Sequence, residues 1–132
     1  MEGKIMAIQI TLGNNLQTTA RLEGHTAAVK TAYFDPREDM QPGELLASAL
    51  GACMLTMVGY AAQKRGDDVS GTQLTVEPVF GGTPRRVTEI KLTFAYPANF
   101  TQAQKDLYTK TAQTCPVHNS LREDIRYTIE VK

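Results

Sequence analysis

Cysteine and histidine are scarce in this chain, with two of each, and neither sign of charge is in excess. Fourteen basic residues balance fourteen acidic ones. There is thus no basic stripe to track a phosphate backbone and no acidic tail to attract a basic partner, which argues against nucleic acid as a ligand. The start, Met1-Glu2-Gly3-Lys4-Ile5-Met6, lacks the basic segment, apolar run and small-residue cleavage site of a secretory signal, so the expected compartment is the cytoplasm. No internal repeat, low-complexity tract or linker interrupts the 132 residues, of which 42% are hydrophobic. That length and composition predict a single domain over 1–132 with its own core. From Leu45 to Ala62 no residue is charged, a length at the lower limit of a membrane span. Ala47, Ser48, Ala49, Gly51, Ala52, Thr56 and Gly59 make that run small and only weakly apolar, as in a helix buried against close neighbours, so no membrane partner is expected.

Local patterning predicts an α+β fold. Lys4 to Thr11, Gln17 to Leu22 and Thr26 to Phe34 read as strands of an antiparallel meander, with turns at Gly13-Asn14-Asn15 and Gly24-His25. Pro42-Gly43-Glu44 favours a helix start, and the long helix that follows is expected to run to about Arg65 and stop at Gly66. Gln73 to Phe80 and Val87 to Tyr96 read as a second hairpin around Gly81-Gly82-Thr83-Pro84. Thr101, with Gln104 three residues on, has the spacing of a capping box and opens a helix to about Thr114, and Pro116 suits the first position of another short one. The last strand is Ile125 to Val131. So few elements leave about half of the long helix without a cover, and a dimer that buries it is the natural solution.

The two cysteines stand in contrasting settings. On the long helix, Leu46, Ala49, Leu50, Cys53, Met57 and Tyr60 recur at three- and four-residue steps, which predicts a Cys53 on an apolar face and shielded from water. Met54 and Met57 read as core filler, and Tyr60 as packing or pocket lining. Apolar burial raises a thiol's pKa, so a reactive Cys53 needs a partner from elsewhere in the fold. Cys115 heads Cys115-Pro116-Val117-His118, at an expected helix start where free backbone amides favour a thiolate and suit a leaving group or resolving thiol. Two thiols in a reducing compartment point to catalysis, regulation or free cysteines rather than a permanent staple. Cys115 and His118 have the spacing of half a metal site, but His25 is the only other imidazole and the second half is lacking, so no metal is expected.

Pro42-Gly43-Glu44-Leu45-Leu46-Ala47-Ser48-Ala49-Leu50-Gly51-Ala52-Cys53, taken with the later Cys115-Pro116-Val117, resembles the OsmC/Ohr family of cysteine-based organic hydroperoxide reductases. The resemblance covers most of the chain. It implies an OsmC-like fold, with antiparallel sheets packed on a long central helix in an intertwined homodimer and the sites at the subunit interface. It implies that Cys53 is the peroxidatic thiol and Cys115 the resolving one, joined in a disulfide during turnover. An organic hydroperoxide is then the substrate, and an external dithiol, lipoyl-type in at least one branch, the reductant, with no bound cofactor.

The family also uses an arginine and a glutamate at the thiolate, and here the chain departs from its pattern. Gly43 occupies the place after the proline that the hydroperoxide branch gives to glutamate, and Glu44 follows one later. At about 100° per residue, nine steps put Glu44 and Cys53 on opposite faces of a straight helix. Glu44 therefore serves Cys53 of its own chain only if the helix begins after it or bends; otherwise it serves the partner subunit or caps the helix. The arginine register falls on Tyr33 in one branch and near Gly13 in another, which leaves Arg37 as the nearest candidate and Arg21 as a more distant one. The missing register keeps open a non-catalytic module that binds a small hydrophobic molecule. A redox sensor, whose disulfide forms once and signals, is the third possibility.

Overall fold

Apolar and polar residues alternate along the first strands, and the computed structural model, which describes residues 6–132, folds them into a small antiparallel sheet. Its strands are β1 (Ile8–Leu12), β2 (Thr18–Leu22) and β3 (Ala28–Thr31), in that order. The expected first strand is thus shorter at its start, and Lys4 and Ile5 lie outside the described residues. The first turn closes through the Gly13 amide, which donates to the Gln17 carbonyl at 2.8 Å, with Asn15 and Leu16 at positive φ. The third strand ends at Thr31 rather than Phe34, because the chain there turns to another partner: Thr31 bridges to Met40, and the Ala32 amide donates to the Met40 carbonyl at 3.0 Å.

Pairing of Ile8 with Leu22, Ile10 with Ala20 and Ala20 with Val29 puts these apolar side chains on one face, and Gln9, Arg21 and Lys30 on the other. The apolar face is open: Ile8, Ile10 and Leu12 are 62%, 63% and 70% exposed. This sheet belongs to a compact unit that ends at Leu45, and a second unit comprises Leu46–Lys132.

The long helix α1 (Pro42–Arg65) begins at the expected proline. It ends where Gly66, at φ 80°, and Asp67 both turn their amides onto the Ala62 carbonyl. In the second unit the sheet has strands β4 (Gln73–Gly81), β5 (Arg86–Ala95) and β6 (Arg126–Val131), in the order β4-β5-β6. β4 and β5 form the expected hairpin, whereas β6 pairs parallel to β5, so this sheet is mixed. Two further helices, α2 (Gln102–Ala112) and α3 (Pro116–Ser120), fill the connection from β5 to β6. The capping box is present: Thr101 Oγ1 accepts from the Gln104 amide at 3.1 Å, and Gln104 Oε1 accepts from the Thr101 amide at 2.8 Å. Tyr108, wholly buried on α2, donates to the Asp67 carboxylate at 2.5 Å and ties α2 to the end of α1.

The core of this unit joins Leu50, Met54, Val58 and Ala62 of α1 to Ile90, Leu92 and Phe94 of β5, with Tyr108, Ala112 and Cys115. Gly51 lets α1 approach β4, since a Cβ there would stand 3.0 Å from Val76. The buried stripe of α1 is Ala47, Leu50, Gly51, Met54, Val58 and Ala62. The expected face is corrected accordingly: Leu46, Ala49 and Tyr60 are exposed, and the Lys64 ammonium lies 4.5 Å from the centre of the Tyr60 ring. The helix is apolar all round, so several stripes have helical spacing and the pattern alone does not single out the one that turns inward.

Candidate active site

Two pairs of the expected site residues come together, one in each unit. In the second unit, Cys53 sits at the edge of the buried stripe of α1 and packs against the core that contains Cys115. It is partly exposed, not fully shielded as its apolar setting in the sequence suggested. Cys115 has no exposed surface. The chain places it by ending α2 at Ala112 and restarting at Pro116, the first residue of α3, with Cys115 in extended conformation as the cap. Its Sγ accepts from the His118 amide at 3.2 Å. Both thiols are free.

The electrostatics of Cys115 run against the simple helix-start argument. Burial pushes its thiol up from the ordinary value, the neighbouring Cys53 thiol adds to this, and the amides of His118 and Val117 only partly offset it. Cys115 therefore rests as a neutral thiol, and the amides that hold it become most favourable once it carries charge.

His118 turns its ring Nδ1 to the Gln113 carbonyl at 2.8 Å. A carbonyl only accepts, so Nδ1 carries the hydrogen. Among the described residues no group of three or more His, Cys, Asp or Glu side chains could hold a metal ion. The imidazole instead meets the Tyr127 ring edge-on, centroids 4.7 Å apart. Tyr127, on β6, is the residue that sequence reasoning missed. Its hydroxyl is buried with no hydrogen-bond partner among the described residues, and burial, with the Cys115 charge as a second cause, pushes its phenol up. An aromatic at an alternate position of a terminal strand carries no signal that would have singled it out.

In the first unit, Arg37 Nη2 donates to Glu44 Oε2 at 3.0 Å, while Glu44 Oε1 accepts from the Gln41 amide at 2.8 Å. Glu44 thus caps the helix and fixes the guanidinium at once. The helix begins at Pro42, ahead of Glu44, so the carboxylate does not precede it. The Arg37 side chain is only 18% exposed and lies 3.5 Å from Asp35 Oδ1 through Nε, too poorly aligned for a hydrogen bond. It lines a cavity of about 380 Å³ with Asn15, Gln17, Phe34, Asp35 and Glu38. Arg37, the nearest arginine candidate, is thus a pinned, mostly buried cation. Arg21, the other candidate, stands on the polar face of β2 and is exposed.

Comparison with known proteins gives a consistent result. The family described as OsmC-like protein matches residues 35–130. A solved structure from Psychrobacter arcticus 273-4, named for the osmotic stress induced and detoxification response, is 29% identical. It superposes with a TM-score of 0.88 over 100% of this chain and 98% of its own. An organic hydroperoxide resistance protein OsmC from Legionella pneumophila has a TM-score of 0.79 at 15% identity, covering 100% of this chain and 99% of that one. The organic hydroperoxide resistance protein OhrB of Bacillus subtilis has a TM-score of 0.74 at 10% identity, with 98% of each chain covered. At these low identities the last two show a common fold. No curated protein matches the chain.

Proposed function

The chain belongs to the OsmC-like family, and we propose that within it the protein is a cysteine-based peroxidase that reduces organic hydroperoxides. The observation that carries this reading is a partly exposed Cys53 packed beside a sealed Cys115 whose sulfur is held by the His118 amide. A sulfur that solvent can reach suits attack on a small molecule, and a second one kept dry beside it suits closure.

In the proposed cycle the Cys53 thiolate attacks one peroxide oxygen and the O–O bond breaks. That oxygen stays on Cys53 as a sulfenic acid, and the other leaves with a proton as the alcohol. Cys115 then attacks the sulfenic sulfur, the S–OH bond breaks, and water leaves as the Cys53–Cys115 disulfide forms. An external dithiol of the lipoyl type reopens it by two exchange steps, departing as its own disulfide. No bound metal or cofactor takes part. Arg37 and Glu44 are the proposed charged pair for the reaction, with Glu44 fixing the guanidinium.

The working unit in this proposal is a cytoplasmic homodimer. The open apolar face of Ile8, Ile10, Leu12, Leu22 and Val29 supports it, since a sheet this small needs a second layer and a second copy also offers the uncovered Leu46, Ala49 and Tyr60 of α1. The test is turnover with cumene hydroperoxide and dihydrolipoamide, against hydrogen peroxide. Faster reduction of the organic peroxide is expected, because an alkyl tail gains about 0.8 kcal/mol per buried methylene. Equal rates would refute the preference. A disulfide that forms once without turnover would mean a redox sensor, and ligand binding with both thiols left reduced a binding module.

A further inference from the structure

We propose that His118 is a positioning residue for the Cys115 sulfur: its imidazole, tied to the Gln113 carbonyl, keeps the His118 amide aimed at Cys115 Sγ. The inference rests on the assignment of Cys115 as resolving thiol. Two hydrogen bonds carry it, both made by one residue. The His118 amide donates to Cys115 Sγ at 3.2 Å, and His118 Nδ1 donates to the Gln113 carbonyl at 2.8 Å. Gln113 is the C-cap of α2 and Cys115 the N-cap of α3, so the His118 side chain spans the junction that its own backbone closes. The last carbonyls of a helix lack partners within it, and a histidine close by is suited to supply one.

The rest of α3 does not set the aim of that amide. The helix has five residues, fewer than an isolated helix needs to persist. Val117 and Leu121 pack against the core, but apolar packing is non-directional and does not orient an N–H. Asn119 reaches the same junction only through an exposed bond of 3.3 Å to the Thr114 carbonyl. The His118 ring meets Tyr127 edge-on and lines a cavity of about 320 Å³ with Leu121, Ile125 and Tyr127, so packing does not enclose it and the bond to Gln113 fixes its orientation. The consequence falls on closure of the disulfide. As the Cys115 sulfur attacks the sulfenic sulfur of Cys53, the S–S bond forms, the S–OH bond breaks, and the proton given up by Cys115 ends on the departing hydroxide as water. An N–H aimed at Cys115 favours its thiolate, which raises the fraction able to attack and favours the same sulfur as leaving group when a dithiol reopens the bond.

The experiment is NMR titration of the Cys115 Cβ resonance in the Cys53→Ser protein, with His118 intact and with His118→Asn, His118→Gln and His118→Leu, each checked for folding by circular dichroism. Asparagine carries an N–H at the place of Nδ1, whereas glutamine carries it one bond farther out. His118→Asn should keep the thiol pKa of the intact protein, and His118→Gln and His118→Leu should raise it by about one unit, a tenfold loss of thiolate below it. In the chain with both cysteines, His118→Gln and His118→Leu should slow disulfide closure about tenfold while Cys53 oxidation keeps its rate, and His118→Asn should restore closure. Equal titrations in all variants, or an asparagine variant that follows leucine, would overturn the proposal, and the asparagine and glutamine pair decides it even where leucine prevents folding. Failure of the peroxidase reading would look different, as peroxide would then leave even the intact chain reduced while the titration still separated asparagine from glutamine.

Discussion

Substituting Ile10→Asp probes the open face of the first sheet. Ile8, Ile10, Leu12, Leu22 and Val29 together leave about three whole side chains' worth of apolar surface exposed, and full burial of one such side chain is worth about 1.5–3 kcal/mol, so covering the face gains about 4–8 kcal/mol per protomer. Ile10 lies in the middle of that face, paired with Ala20. Its substitution removes about 1–2 kcal/mol of that gain. It also brings an unpaired carboxylate into a dry interface at a cost of several kcal/mol. A two-fold dimer meets the change twice. A loss of about 4 kcal/mol or more raises the dimer dissociation constant at least about a thousandfold. The assay is sedimentation velocity across micromolar concentrations, with circular dichroism as the folding control, because the substitution removes no contact within the chain's own core. A wild type that sediments as a monomer, or an Ile10→Asp protein that stays dimeric at the same concentration, would refute the reasoning.

Three further outcomes follow from the same contacts. Thr101→Ala removes one half of the capping box and should cost about 1 kcal/mol, read as a lower urea midpoint with unchanged slope. Glu44→Ala loses both the Gln41 cap and the Arg37 pair, about 1–2 kcal/mol in all because solvent reaches the 38% exposed Glu44 carboxylate and screens the pair, whereas Glu44→Gln keeps an acceptor for the Gln41 amide and should lose less than half of that. Burial raises the Cys115 pKa in the folded state, so the native chain holds its proton at a pH where the unfolded chain has lost it. Its stabilising contribution is full below the unfolded thiol pKa and is lost as pH rises through the folded one. Alkaline unfolding curves should show a steeper loss for the wild type than for Cys115→Ser, and equal slopes would contradict the assignment.

Much of this was legible in local chemistry. The Gly66 stop of α1, the Thr101 capping box and Pro116 at the head of α3 each answer a local need of the backbone, and each stands where the pattern placed it. The direction of β6 was not legible, since alternation marks which side chains share a face but not which way a strand runs. Nor was the buried stripe of α1, because a helix apolar on every side offers the core several equivalent faces. Arg37 and Glu44 were singled out because the family that the chain resembles uses an arginine and a glutamate at the thiolate, yet their mutual hydrogen bond depends on how the intervening loop folds. Cys115 was found by its motif while its raised pKa was not, for desolvation comes from burial in a core assembled from residues distant in sequence as well as near.

The central claim is that Cys53 is oxidised first and Cys115 closes on it. Its most direct test is one equivalent of cumene hydroperoxide added to the reduced wild type, Cys53→Ser and Cys115→Ser, followed by thiol count and intact mass. Expected are loss of both thiols with a mass lower by two hydrogens in the wild type, one added oxygen trapped on Cys53 in Cys115→Ser, and no rapid change in Cys53→Ser. Slow and equal reaction of all three proteins would contradict the account.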